Sequence, residues 1–157
     1  MFIAKESNFL FPPLFKNIFK GGNMTEKLEL YKCDICGNIA EIVIEGQGVL
    51  VCCGKDMKKL DNQTTDGALE KHVPFVEHLG TSHVVKIGSV PHPMQKEHYI
   101  QFIEVISKDK RFIKRKYLNP DEEPEMIIKC LEKDDFNSRE YCNIHGLYVK
   151  EGGNDGQ

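Results

Sequence analysis

The sequence predicts a mostly β protein in two parts, a small cysteine-bound metal unit followed by a small antiparallel β-sandwich. Three observations carry this. Four of the six cysteines (Cys33, Cys36, Cys52 and Cys53) crowd into a stretch too short to bury much of a core. All six histidines lie beyond it, between His72 and His145. From Tyr99 onward the apolar residues fall in short runs broken by turn signals, which is the spacing of strands rather than helices.

Composition narrows the classes. A chain of 157 residues, 40% hydrophobic and 29% charged, has room for one medium domain or two small ones and reads as soluble and globular. A net charge of −3 gives no basic surface for nucleic acid. No apolar run approaches the roughly 18 residues of a membrane-spanning helix. Cys130 and Cys142 stand far from the other four cysteines, which opposes a disulfide framework. Metal ligation in a reducing compartment is the better reading, and the cytoplasm is the expected location.

Residues 1–24 are set apart as a leader, either disordered or a mis-assigned start. Lys5, Lys16 and Lys20 against Glu6 leave it at +2, so the rest carries −5 of the total −3. Pro12-Pro13 interrupt its apolar stretch, and Lys16 and Lys20 follow that stretch, unlike a secretory signal. Lys20-Gly21-Gly22-Asn23-Met24 back-translates to a purine-rich ribosome-binding sequence before a start codon. The native chain is therefore expected to begin at Met24.

The first unit, residues 25–61, opens on Tyr31-Lys32-Cys33-Asp34-Ile35-Cys36-Gly37-Asn38, a C-x-x-C knuckle that turns two sulfurs toward one ion. Alternation from Ile39 to Glu45 suggests a short strand, Gly46-Gln47-Gly48 a turn and Val49-Leu50-Val51 a second strand. Cys52-Cys53-Gly54 closes the unit. Four thiolates on so small a hairpin specify a tetrahedral sulfur site for zinc or iron. Adjacent residues in extended backbone point opposite ways, so two neighbouring ligands require a distorted turn. A unit this small leans on its metal to fold. Residues 62–67, polar and turn-rich, form the expected linker.

The second unit, residues 68–151, carries the histidines, and residues 152–157 are read as a flexible tail. Glu70-Lys71-His72-Val73-Pro74 sets a charged pair before a histidine. Gly88-Ser89-Val90-Pro91-His92-Pro93-Met94 brackets His92 with prolines in an irregular loop, a usual place to present a ligand. Lys96-Glu97-His98-Tyr99 leads into an apolar run. Tyr141-Cys142-Asn143-Ile144-His145-Gly146 places a thiolate and an imidazole three residues apart. His78 and His83 lack any such setting and read as ordinary structural or surface histidines. Cys130, inside the apolar run Met126–Leu131, reads as a core thiol.

Together these motifs resemble a known family. YKCDICG and VLVCCGKDM resemble the desulforedoxin module. EKHVP, GSVPHPM, EHYI and EYCNIHG follow it in the order found in desulfoferrodoxins, the two-iron superoxide reductases. The likeness spans about residues 29–150. It implies an Fe(Cys)4 site at Cys33, Cys36, Cys52 and Cys53, and an immunoglobulin-like β-sandwich holding a second iron. There His72, His92, His98 and His145 would supply four equatorial nitrogens and Cys142 an axial sulfur, with the opposite position open to superoxide. The choice of iron over zinc at the first site rests on this resemblance.

The resemblance further implies one-electron reduction of superoxide to hydrogen peroxide, with rubredoxin or a similar donor returning the electron, and a homodimer. Glu70 and Lys71 would serve the open position, Lys71 by attracting the anion and Glu70 by occupying the oxidised metal afterwards. Tyr148 stands where the family usually has tryptophan, a change that removes no ligand. A non-catalytic iron electron carrier is the alternative function, and would show no ligand binding to the reduced second iron.

Overall fold

A computed structural model describes residues 24–65, 71–129 and 136–152. The expectations for the leader before Met24, for Glu70 and for Cys130 lie outside these residues, as do those for the end of the linker and for the tail after Gly152.

The chain is all β in these segments, as the short apolar runs require. Five short strands build the first unit: β1 (Leu30–Lys32), β2 (Ile39–Glu41), β3 (Val51–Cys52), β4 (Lys55–Asp56) and β5 (Lys58–Lys59). They pair as a β2-β1-β5 sheet and a β3-β4 hairpin. The knuckle closes by backbone bonds, Gly37 N–H to Cys33 O and Cys33 N–H to Asn38 O, both 2.9 Å.

Seven strands form the second unit: β6 (Pro74–Leu79), β7 (Ser82–Ile87), β8 (Ile100–Ser107), β9 (Ile113–Tyr117), β10 (Glu125–Lys129), β11 (Phe136–Cys142) and β12 (Gly146–Lys150). A three-stranded sheet, β10-β7-β6, faces a four-stranded one, β12-β11-β8-β9, and every pairing is antiparallel. The apolar runs from Tyr99, Phe112, Met126 and Gly146 become β8, β9, β10 and β12. The β6–β7 hairpin and β11 have no counterpart in those runs, because their buried positions are interleaved with His78, His83, Arg139 and Glu140. Side chains from both sheets interdigitate in one core, including Val76, Val85, Ile87, Ile103, Val105, Met126, Ile128 and Phe136. Among the described residues no helix is long and apolar enough to cross a membrane.

The first unit packs on the outer face of the four-stranded sheet. Leu30 joins Phe102, Tyr141 and Leu147 in a second buried cluster, with Ile39, Leu60 and Val149 against it. Strand alternation makes this possible: Phe102 and Glu104 point out of β8 while Ile103 and Val105 point into the core. Beside the apolar cluster lies a charged one. Glu104, fully buried, accepts from both Arg115 and Arg139, and these two also hold Glu41 of the first unit at 2.8 and 3.1 Å. Arg139 further donates to the Leu28 carbonyl at 2.8 Å. Burial of four apolar side chains and a carboxylate held by two guanidinium groups explains why so small a unit has a defined seat.

Candidate metal centres

The first cluster gathers Cys33, Cys36, Cys52 and Cys53, whose sulfurs all lie within 4.8 Å of one another. The distorted turn expected at the adjacent pair is present. Cys53 has φ +52° and Gly54 φ +75°, so a non-glycine residue sits in the left-handed region to bring its sulfur to the same side as Cys52. Measured separations are 3.6 Å for Cys36–Cys52 and 3.9 Å for Cys52–Cys53. Metal–sulfur bonds of about 2.3 Å imply a tetrahedron edge of about 3.8 Å, so an ion fits the cage. The acidities agree. Backbone N–H groups of Cys36 and Ile35 lower the Cys33 thiol to about 7, while hydrogen bonding with Cys36 first, and with Cys33 next, pushes Cys52 up to about 12. One thiolate suppresses the next unless a cation is shared among them.

The second cluster gathers His72, His92, His98, Cys142 and His145 from three separate parts of the chain. His72 enters β6, His92 and His98 lie on the long loop between β7 and β8, and Cys142 and His145 flank the β11–β12 turn. The rings form a square. Neighbouring ring centroids are 4.6–4.8 Å apart around the circuit His72, His92, His98, His145, and the His72–His98 diagonal is 6.4 Å. Adjacent rings stand 72–78° to one another, while the diagonal pair is tilted by 30°. His72 Nε2 is 3.1 Å from His92 Nε2 and 2.9 Å from His145 Nδ1. Bonds of about 2.1 Å to a central ion give a square edge of about 3.0 Å. Cys142 Sγ lies 3.7 Å from His92 Nε2 and 3.6 Å from His145 Nδ1.

The donor set also suits a cation chemically. His98 Nε2 is buried with no hydrogen-bond partner among the described residues, a nitrogen lone pair waiting for an acceptor of another kind. Burial first, then the neighbouring His72, lowers His92 to about 4, and burial with His145, His72 and Lys71 lowers His98. Both shifts favour the neutral, ligating form of these two imidazoles. His92 Nδ1–H donates to the Pro93 carbonyl at 2.5 Å, which directs Nε2 at the centre.

Local structure explains how Cys142 reaches the site. The β8–β11 register pairs Tyr141 with Phe102 but Cys142 with Ile100, leaving Gln101 as a bulge. The bulge returns Ile100 to the core face, and Cys142, fully buried, ends β11 on that same face. Asn143, between the two donors, locks the turn. Its Oδ1 accepts from Tyr99 N–H and its Nδ2 donates to the Glu97 carbonyl, both at 2.9 Å, on either side of His98. Tyr148 stacks on the His72 ring at 4.6 Å and 16°, so the tyrosine at that position orients a donor ring.

Of the candidate site residues read from sequence, the two clusters include every described one except Lys71, which precedes His72. His78 and His83 pair with each other across the β6–β7 hairpin, Nδ1 to Nδ1 at 2.6 Å, and join neither cluster. Sequence reasoning assigned nothing to Asn143 or to Gly88. Asn143 carried a legible signal, a short polar side chain inside a ligand motif. Gly88 has φ +73°, and a Cβ there would lie 2.7 Å from Lys71 Cα and closer still to its carbonyl. Gly88→Ala should therefore displace Lys71 and His72 together, beyond the roughly 1–2 kcal/mol of left-handed strain. Metal analysis should find the second centre depleted and the first one full.

A β-sandwich holding a four-imidazole square beside a buried cysteine sulfur, joined to a four-sulfur cage, defines a two-centre, non-haem metalloprotein. Sequence comparison places it more closely. The desulfoferrodoxin profile matches residues 64–151 and the desulfoferrodoxin N-terminal domain profile residues 25–60. A desulfoferrodoxin of Syntrophotalea carbinolica is 48% identical over 129 residues, covering 82% of this chain and 100% of that one. A desulfoferrodoxin homolog of Archaeoglobus fulgidus is 50% identical over 125 residues, covering 80% and 98%. The crystal structure of the superoxide reductase from Treponema pallidum superimposes with a TM-score of 0.61 at 27% identity, over 80% of this chain and 98% of that chain. The chain belongs to the desulfoferrodoxin family, and its four-cysteine cluster and its cluster of four histidines and one cysteine correspond to the two iron centres of that family.

Proposed function

We propose that the protein is a superoxide reductase, converting superoxide, one electron and two protons to hydrogen peroxide at the centre of four histidines and one cysteine. The square of four imidazoles beside the buried Cys142 sulfur carries this reading. Bound iron would supply the electron. The ligands in this reading are His72, His92, His98, His145 and Cys142, with Cys33, Cys36, Cys52 and Cys53 holding the first iron. The protein's part is to point four ring nitrogens at one centre, to hold the Cys142 sulfur in the core and to leave an approach for a small anion.

Lys71 serves that approach. It precedes His72, and its charge is felt at His98. Positive charge at an open site steers small anions even to an acidic protein. Glu70 is proposed to occupy the vacated position after turnover. Lys71→Ala should lower the second-order rate for superoxide by about 10-fold at low salt and flatten its ionic-strength dependence, with Lys71→Arg retaining both. Pulse radiolysis across a salt series measures this, and an unchanged rate would remove the steering role.

The electron donor is proposed to be rubredoxin or a similar small carrier. A homodimer through the first unit is supported by its exposed apolar residues, Ile35, Val43, Ile44, Val49 and Val51, each more than half exposed in the single chain. Five cysteines outside any disulfide among the described residues suit a reducing cytoplasm. Anaerobic titration with superoxide, with metal content measured in parallel, tests the whole reading: two irons and peroxide without oxygen evolution are expected.

A further inference from the structure

We propose that Gln63, in the segment joining the two units, is a positioning residue for His145; this rests on reading His145 as a ligand of the second centre. The five donors are not held alike. His72 and His92 are each only 5% exposed and Cys142 is fully buried, so packing fixes them. His145 is exposed, and its ring gains little from the core. Its place depends on the backbone of the β11–β12 turn, whose carbonyl at His145 lies outside the strand ladder, since the last pair is Cys142 with Gly146.

Gln63 supplies the missing donor. Its Nε2 donates to the His145 carbonyl at 2.8 Å and to the Leu147 carbonyl at 3.3 Å. Its main chain is anchored to the same strand: Gln63 N–H donates to Leu147 O at 3.1 Å and Val149 N–H donates to Gln63 O at 2.8 Å. A parallel bridge pairs Gln63 with Tyr148, the residue stacked on His72. Three residues upstream, Leu60 N–H donates to Leu30 O and the Leu60 side chain packs in the cluster between the units. Gln63 thus ties the seat of the first unit to the turn that presents His145, opposite the side held by Asn143. Glutamine is suited to this, because two carbonyls need a donor with two hydrogens, and a carboxylate would offer only acceptors.

The test uses the full-length two-iron protein with Gln63→Ala and Gln63→Glu. The readouts are the thiolate-to-iron absorption of the second centre and its rate of iron loss to a chelator, with the first centre as internal control. Gln63→Ala should shift the band and speed iron loss from the second centre alone by about 10-fold, the lower end of what outer-shell changes cause. Gln63→Glu should do more at neutral pH, setting a carboxylate against two carbonyl oxygens. Bands and loss rates within about twofold of the unsubstituted protein in both variants would overturn the proposal, as would equal iron loss from both centres. Absence of the band in the unsubstituted protein would instead overturn the ligand reading itself, and the proposal with it.

Discussion

Cys142→Ser is expected to abolish the thiolate-to-iron absorption and superoxide reduction while leaving the four-cysteine centre spectroscopically intact. Cys142 is fully buried and stands 3.6–3.7 Å from two of the imidazole nitrogens. A serine hydroxyl is smaller, ionises far above neutral pH and does not donate charge as a thiolate does. The loss of rate should exceed the roughly 10–100-fold that changes to outer-shell partners produce, because a donor itself is replaced. The first centre should be spared, since its sulfurs come from β3 and from the turns that flank β1 and β3, and the backbone pairs that close it, such as Cys52 with Lys55 and Met57 with Leu50, lie within the first unit. Parallel optical spectra and pulse radiolysis decide the matter. A variant that keeps the band would exclude Cys142 as the sulfur donor.

Glu104→Leu is expected to destabilise the protein by about 3–5 kcal/mol, the loss typical when one partner of a buried ion pair is removed. Glu104 is fully buried beneath two guanidinium groups, and the Arg139 side chain is only 7% exposed. Removing the carboxylate strands Arg139, whose remaining partners are Glu41 and the Leu28 carbonyl of the first unit. The double variant Glu104→Leu with Arg139→Leu should regain a large part of the loss, because the stranded charge goes too. Denaturant midpoints for the single and double variants form the cycle. Equal losses in all variants would show that packing, not the charge pair, is what Glu104 supplies.

Much of the site was legible because its chemistry is concentrated in short motifs. C-x-x-C with Cys-Cys-Gly announces a sulfur cage from spacing alone, and a distorted turn at the adjacent pair followed from two neighbouring donors. The histidine square was harder. No spacing rule connects His72 to His145; their settings in motifs separated them from His78 and His83, and the resemblance joined them into one ligand set. The strands read from apolar runs were those with plain alternation or continuous apolar residues. Strand β11 was hidden by Ser138, Arg139 and Glu140, which are polar yet buried because one sheet face meets the core and the other meets the first unit. Gln63 and Gly88 left no local signal at all. One acts through carbonyls more than 80 residues away, and the other matters because the Lys71 backbone passes where its side chain would be.

The positions of the donors along the chain bear on the order in which the protein matures. The sulfur cage closes between Cys33 and Cys53, whereas the imidazole square joins His72 to His145, 73 residues apart. Closing the larger loop costs roughly 1 kcal/mol more in chain entropy than closing the smaller, and it must await the last strand pair. The first cage can therefore form while the later strands are still being synthesised, and the second only after Cys142 and His145 have emerged. Pulse labelling during synthesis should find metal in the first cage early, so limited iron supply would yield half-loaded molecules of one kind, with the sulfur cage filled and the square empty.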